Sequence, residues 1–539
     1  MKKLTVLCLA GLLVLAFGAI GYAQAPKLDF RASGMFQFDT YYTKNTPGYG
    51  NNVTAGIYKV AQRDYDPNGV GLHLLYPGEW PEPGKALNRK VSYFDTRAHL
   101  RFDAVMGKEL SGTFLFEIDT NRWGMASNAT ANQREAATFG SWTTDRTAVE
   151  VKNIYLDVGL PYFGIPVPIT VRIGAQPLAI RPAFFLYSDG MGIQGGISVP
   201  PVSIIPYYYK ALEGVDWTAD DVDIYGLQAI AKISTFTVGG YGIYYNMNTY
   251  PFQVTNYDTL LPPVVGGVGG ILLQSPGTQR ADMWWFGVYA DGKAGPVNVN
   301  FDFIYDRGKV QSRLTPNATA PDVKYRGWAT RGKVDFPWEK FNFGLVGMYA
   351  SGADAKKTGP TGLAGSTGVG NAASKKVGSY VVPPGSEMAP INSESVVAYS
   401  IWAGASGGAG LLESANYSAL SRGAFGGTWF AKLYGSAKVT PWYKVTLQGL
   451  YIGDTTKNGN TWGTAVKPGS YILRDDNDIG FELDMINELT IYKNLSFSIG
   501  GGYLWAGDAL ELRAPSPTPT SNFDMKNPWA IRSRLQYLF

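Results

Sequence analysis

Cysteine and histidine are almost missing from this sequence of 539 residues. The one cysteine, Cys8, lies inside the N-terminal apolar run, away from the cleavage site at which a lipoprotein carries its modified cysteine. The rest of the chain has no thiol, which excludes disulfides, cysteine-ligated zinc and covalently attached haem. The two histidines, His73 and His99, are far apart in sequence. We therefore predict no metal site, no cofactor and no histidine-based catalysis.

Charged residues and long apolar runs are also scarce. Charged side chains make up 17% of the chain, against about 25% in ordinary soluble domains. Beyond the N-terminus no segment reaches the roughly 20 apolar residues that a spanning helix needs. The mean hydropathy of −0.09 likewise excludes a bundle of membrane helices. The 47 basic residues nearly balance the 43 acidic ones, so we expect no nucleic acid as a partner.

The N-terminus has the pattern of a secretory signal peptide. Two lysines precede an apolar stretch from Leu4 to Ile20, and small residues follow it around Ala23. We predict cleavage after Ala23, which divides the chain into a signal peptide, 1–23, and a mature domain, 24–539. An uncleaved anchor helix is the alternative.

Segments of about ten residues with alternating apolar and polar side chains recur along the mature chain, a pattern typical of a transmembrane β-barrel. In the clearest segment, Tyr93–Ala104, apolar side chains share one face and five ionisable side chains share the other. Unpaired charges do not face a packed core, so we expect these side chains to line a wet lumen. A soluble amphipathic strand would look similar, but Val297–Asp306 and Thr428–Lys438 repeat the pattern, and this recurrence favours the barrel.

Long and short connections alternate along the chain, as external loops and periplasmic turns do in outer-membrane barrels. The longest predicted loops are 44–90, 248–281 and 351–427. We predict an all-β, transmembrane, antiparallel, up-and-down barrel of about 18 strands. A count of 16 is the alternative, because the stretch 177–210, with a predicted loop at 177–190, is poorly patterned. Loop 351–427 is rich in Gly, Ala and Ser, and it either stays outside as a flexible loop or folds inward and narrows the pore.

The inward face is predicted to carry charges of both signs. The predicted pore-lining residues are Asp95, Arg97, His99, Arg101, Asp103, Glu117, Asp119, Arg172, Asp302, Asp306, Arg331, Lys333, Lys432, Glu482, Asp484, Arg532 and Arg534. In a closed barrel the last strand meets the first, so its two arginines would lie near Arg31, Arg97 and Arg101 and form a basic wall. Such a wall would give a weak preference for anions. Alternatively, the charges pair across neighbouring strands and only keep the wall wet.

The last ten residues form an alternating strand that ends in phenylalanine. Tyr537 and Phe539 share its predicted lipid face. This ending resembles the signal that the outer-membrane assembly machinery reads. We therefore expect outer-membrane lipid and that machinery as partners, and a homo-oligomer is compatible with the pattern.

The segment Ile479–Leu510 resembles the last part of the alginate-export-type porins. The resemblance is carried by Gly480-Phe481-Glu482-Leu483-Asp484, by a turn with Tyr492 and Leu495, and by Gly501-Gly502-Tyr503-Leu504-Trp505-Ala506-Gly507-Asp508. It implies an eighteen-stranded barrel that passes anionic sugar polymers or small solutes. Over about 30 residues it supports a barrel and a pore, but not alginate as the substrate.

These patterns together predict an outer-membrane porin for passive diffusion of small or anionic hydrophilic solutes, and not an enzyme. A structural barrel that acts as a sheath or scaffold for a periplasmic partner is the alternative. We do not expect an energised transporter, because such barrels are plugged by a domain and none is evident before Leu28.

Overall fold

The computed structural model describes most of the predicted strands and part of the connections. The described residues are 27–45, 90–123, 149–160, 167–182, 184–214, 219–250, 279–312, 323–358, 376–386, 394–399, 420, 422–423, 425–463, 465–470, 472–513, 522–523 and 526–539. The predicted signal peptide, 1–23, and nearly all of the loops 44–90 and 248–281 lie outside these residues.

Eighteen long strands account for most of the described residues. They are β1 (Leu28–Lys44), β2 (Lys90–Met106), β3 (Leu110–Arg122), β4 (Glu150–Leu160), β5 (Ile169–Ile180), β6 (Leu186–Val199), β7 (Val202–Leu212), β8 (Val222–Ile233), β9 (Phe236–Tyr250), β10 (Gln279–Ala294), β11 (Val297–Ser312), β12 (Trp328–Trp338), β13 (Phe341–Ala350), β14 (Thr428–Thr440), β15 (Tyr443–Asp454), β16 (Asp478–Tyr492), β17 (Leu495–Ala506) and β18 (Trp529–Leu538). Each strand pairs antiparallel with the next, and β18 pairs with β1. The sheet is therefore a closed up-and-down barrel, and the predicted count of eighteen is confirmed.

The remaining elements are short. Strand pieces lie at Val323–Tyr325, Lys376–Val377, Leu512–Arg513 and Asn522–Phe523, a helical turn at Ala355–Thr358, and a 3-10 turn at Asp508–Leu510. Among the described residues, no helix combines the length and the apolar character needed to cross a membrane.

Short turns lie at one end of the barrel, for example after Met106 and after Tyr492. The prediction of a loop over 177–190 is wrong in extent, because β5 continues to Ile180 and β6 begins at Leu186. Glycines hide the alternation there, since they show no side chain on either face. At Gly192 a Cβ would lie 2.6 Å from the ring of Tyr209, so the glycine makes room for a large side chain of the next strand.

The outer face of the barrel is apolar. Phe102, Phe301 and Leu433 are 43%, 44% and 68% exposed, and they alternate with side chains that point inward. Exposed tryptophans lie near both ends of the strands, among them Trp284 towards the long loops and Trp442 at a short turn. This arrangement suits a belt of lipid with aromatic side chains at its two borders.

The inner face changes character along the barrel. Towards the long loops it is packed with apolar side chains, including Trp285, Ile304 and Met348, which are almost fully buried. The expected wet lumen therefore does not extend over this part of the inner face. An alternation with a period of two shows only that the two faces of a strand differ in polarity. It does not show whether a loop covers the inner face.

Candidate pore constriction

A described piece of loop 351–427, residues 394–399, lies inside the barrel and is buried there. It is held by Glu482 of β16. The Glu482 carboxylate accepts hydrogen bonds from the main-chain N–H groups of Val397 (2.6 Å) and Ala398 (2.9 Å) and from the hydroxyl of Ser395 (3.0 Å). One carboxylate thus satisfies three donors of a tight turn.

Asp484, two residues further along β16, holds the same turn. Its carboxyl accepts hydrogen bonds from the main-chain N–H of Val396 (3.2 Å) and from the side-chain amide of Gln448 (2.8 Å). Gly502 of β17 leaves the space that the turn needs, because a Cβ there would lie 2.8 Å from the Cβ of Val396. Glu482, Asp484 and Gly502, which belong to the segment that resembles the alginate-export-type porins, therefore bind and accommodate the chain's own loop.

Glu394 begins this inward segment and carries its strongest ionic contacts. Its carboxylate pairs with the guanidinium of Arg331 on β12 and with the ammonium of Lys432 on β14. Burial raises the pKa of the Glu394 carboxyl, but the two cations outweigh burial and lower that pKa to about 2. Arg331 also donates to the side-chain oxygen of Asn300 at 3.0 Å. Glu394 is therefore an ionised side chain that ties the loop to two strands.

A second piece of the same loop, residues 379–382, lies against β10 and β11. The buried carboxylate of Asp306 accepts hydrogen bonds from the main-chain N–H groups of Gly327 (2.8 Å) and Val381 (3.1 Å). The indole N–H of Trp285 donates to the carbonyl of Val381 at 2.8 Å. Asp306 thus lies on the inward face of the strand, where its carboxylate faces loop backbone and not open lumen.

The connection between β5 and β6 also enters the barrel. The guanidinium of Arg181 pairs with Asp302 on β11 and with Asp291 on β10, each at 2.5 Å, and lies 4.3 Å from the ring centroid of Tyr289. Such a contact between β5 and β11 is possible only across the inside of a closed barrel. Arg181 is not among the predicted pore-lining residues, because nothing in the sequence around it marks partners more than 100 residues away.

The two inward connections meet each other. The ring of Phe184, three residues after Arg181, stacks on that of Phe425 at 5.1 Å, and Phe425 also stacks on Tyr380 at 5.3 Å. The described parts of loop 351–427 therefore favour the second alternative of the sequence analysis, a loop that folds inward and narrows the pore.

On the wall formed by β18 and β1 to β5, most of the predicted pore-lining charges have an ionic partner. Arg97, His99 and Lys152 all contact the carboxylate of Glu117. Further pairs join Arg101 to Asp103, Arg172 to Asp157, Arg534 to Asp39 and Arg31 to Asp29. Asp95 is buried on the same face, and Arg532 is buried over the ring of Tyr41 at 5.4 Å. The side chain of Asp119 lies outside the described residues. Some of these pairs cross between strands, whereas Arg101–Asp103 and Arg31–Asp29 lie along one strand. In both cases the cation is compensated, which argues against an uncompensated basic wall.

A recess of about 580 Å³ opens on the inner face between the Glu394 segment and the short turns. Its walls carry six cationic side chains, Arg331, Lys333, Lys340, Lys432, Lys438 and Lys444, and four carboxylates, Asp335, Glu339, Glu394 and Glu488. The recess therefore carries two more cations than carboxylates, and it begins where the constriction ends. Within the described residues, no group of three or more His, Cys, Asp or Glu side chains is arranged to hold a metal ion.

No protein-family model and no curated protein matches this chain. Similar solved structures include the outer-membrane protein OpdK from Pseudomonas aeruginosa (9% identity, 94% of this chain and 98% of that chain, TM-score 0.45). OpdQ from the same organism is similar at 8% identity, over 95% and 98% of the two chains, with a TM-score of 0.47. A BenF-like porin from Pseudomonas fluorescens Pf-5 is similar at 8% identity, over 95% and 98%, with a TM-score of 0.45.

Proposed function

We propose that this chain is a porin of an outer membrane, through which small hydrophilic solutes, anions among them, diffuse passively. The observation that carries the proposal is a closed barrel with an apolar outer belt, a charged inner face and a constriction made from its own loops. Barrels that conduct solutes through a lipid bilayer need these three features together. Residues 1–23 would direct export.

The two ends of the chain support assembly into such a membrane. Phe539 is 41% exposed on the outer face, where its ring stacks on Phe36 at 5.4 Å and on Tyr537 at 5.7 Å. An accessible terminal aromatic cluster is what a recognition signal for the assembly machinery requires. The resemblance to the alginate-export-type porins supports a barrel that forms a pore, but it does not identify the solute.

The sheath alternative needs free space inside the barrel for a protein partner. The described loop segments around Phe184, Tyr380 and Phe425 occupy that space near the long loops, and their side chains are buried there. This packing favours a channel for small solutes over a scaffold.

Reconstitution in a planar bilayer tests the proposal. We expect stepwise, ohmic currents, and a reversal potential under a KCl gradient that shows weak anion preference from the basic recess. A protein that inserts as a heat-modifiable barrel but carries no current would contradict the porin function. A clear cation preference would contradict the anion preference alone.

A further inference from the structure

The Glu394 carboxylate is bound by two cationic side chains of the barrel wall. Arg331 and Lys432 project from β12 and β14, two strands with one strand between them, and both contact Glu394. Their side chains are 11% and 6% exposed, so water screens them little. Two poorly hydrated cations on a rigid sheet form a site for an anion whether or not the loop supplies it.

Glu394 uses the Arg331 guanidinium only in part. One terminal nitrogen of Arg331 contacts Glu394 and the other donates to Asn300, while the buried Nε has no hydrogen-bond partner among the described atoms. A guanidinium binds a free carboxylate through two parallel N–H groups, which is a stronger arrangement than one bond. A carboxylate that is not attached to the loop would therefore have one more donor available than Glu394 has.

The site borders open space. Arg331, Lys432 and Glu394 all line the recess of about 580 Å³, which is large enough for a small organic solute. The recess also presents Lys333 and Lys438, and the Tyr434 ring lies 5.6 Å from the ammonium groups of Lys333 and Lys432. The chemistry around the two cations thus suits an anionic head with a small organic body.

We propose that Arg331 and Lys432 form a carboxylate-binding subsite that the protein's own Glu394 fills, and that a small organic carboxylate exchanges with Glu394. Exchange removes an ionic anchor of the segment 394–399, so the solute loosens the constriction as it binds. The inference rests on the proposed porin function for its route of entry, but binding itself needs only the folded barrel.

Titration calorimetry with glutarate on the detergent-solubilised full chain tests the subsite. Glu394→Gln and Glu394→Ala remove the internal competitor, and both should bind glutarate about tenfold more tightly than the wild type, because a self-occupied site lowers apparent affinity. Arg331→Gln should abolish binding. Glu488→Gln is the matched control, since Glu488 lines the same recess but pairs with Lys444.

An equal increase in glutarate affinity in the Glu394 and Glu488 variants would mean that only the net charge of the recess matters, and this result would overturn the subsite. Absence of glutarate binding in the wild type and in both Glu394 variants would overturn it as well. Bilayer recordings distinguish a failure of the subsite from a failure of the porin function. An open channel that does not bind glutarate refutes the subsite and leaves the porin function standing. A barrel that carries no current but binds glutarate as expected refutes the porin function and leaves the subsite standing.

Discussion

Arg181 and Asp302 join two distant parts of the barrel wall through two hydrogen bonds, of 2.5 and 2.8 Å. Arg181 follows β5, whereas Asp302 lies in the middle of β11 and its side chain is 3% exposed. The pair therefore fixes a connection between strands at a point deep inside the lumen. We expect this contact to limit the free width of the lumen beside it.

Replacing Arg181 with Gln should free this connection. Breaking a buried ion pair costs about 3–5 kcal/mol, because the remaining charge stays buried without compensation. We expect a higher unitary conductance and a shift towards cations, since Asp291 and Asp302 lose their counter-charge. Arg280→Gln, at the exposed end of β10, is the control and should leave both quantities unchanged. An unchanged conductance in Arg181→Gln would contradict a narrowing role for the connection.

Replacing Glu482 with Gln should loosen the turn at 395–398. The carboxylate accepts three hydrogen bonds from that turn, and a neutral amide would weaken the docking by about 3 kcal/mol. We expect larger and noisier single-channel currents in a planar bilayer. Glu488→Gln, on the same strand but paired with Lys444, should behave like the wild type. Currents indistinguishable from the wild type would show that this turn does not limit flow.

Acidification should break the ion pairs of Glu394 only at a low pH. Its folded-state pKa of about 2 lies below the ordinary value of 4.5, so its ion pairs contribute full stability above 4.5 and lose it as the pH falls through about 2. Conductance recorded from neutral pH downwards should therefore show a Glu394-dependent rise only as the pH approaches about 2. The variant Glu394→Gln should lack this component. A Glu394-dependent rise already at pH values above 4.5 would contradict the assigned ion pairs.

The seam between the first and last strands depends on a second buried pair. Arg534 donates to both carboxylate oxygens of Asp39 at 2.8 Å, and Asp39 is 2% exposed. Arg534→Gln should lower the free energy of unfolding by about 3 kcal/mol, because the buried Asp39 carboxylate would lose its cationic partner. Denaturant unfolding followed by heat-modified gel mobility measures this loss. Arg31→Gln removes an exposed pair with Asp29 and should cost at most about 1 kcal/mol.

Gly34 accommodates the terminal phenylalanine. A Cβ on Gly34 would lie 2.4 Å from the Phe539 ring and 2.6 Å from the carbonyl oxygen of His99, which is main chain and cannot swing away. We expect Gly34→Ala to destabilise the seam by about 1–3 kcal/mol and to slow folding into lipid vesicles. Gly347→Ala is the control, because nothing lies within 4 Å of the added methyl group. Equal folding rates for the two variants would contradict this role of Gly34.

Most of the strands could be predicted from the sequence, because a lipid belt imposes an alternation of apolar and polar side chains that only the glycine-rich β6 hides. Phe301 and Asp302 show this clearly, since the first is 44% exposed and the second 2%. The constriction could not be predicted in the same way. Glu482 and Asp484 stand out as a motif, but their partners lie more than 80 residues away in a loop with no regular pattern. Contacts between a strand and a distant loop leave no periodic signal in either segment.

The order in which the barrel can be completed follows from its seam. Asp39 and Arg534 are 495 positions apart, and β1 gains its second neighbour only when β18 arrives. Bringing such distant segments together costs loop-closure entropy before any contact repays it, so folding is expected to be slow. Until that moment an incomplete sheet exposes two unpaired edges, at which another chain can add a strand. The nascent protein therefore needs a helper or a membrane surface that shields these edges until the cylinder is shut.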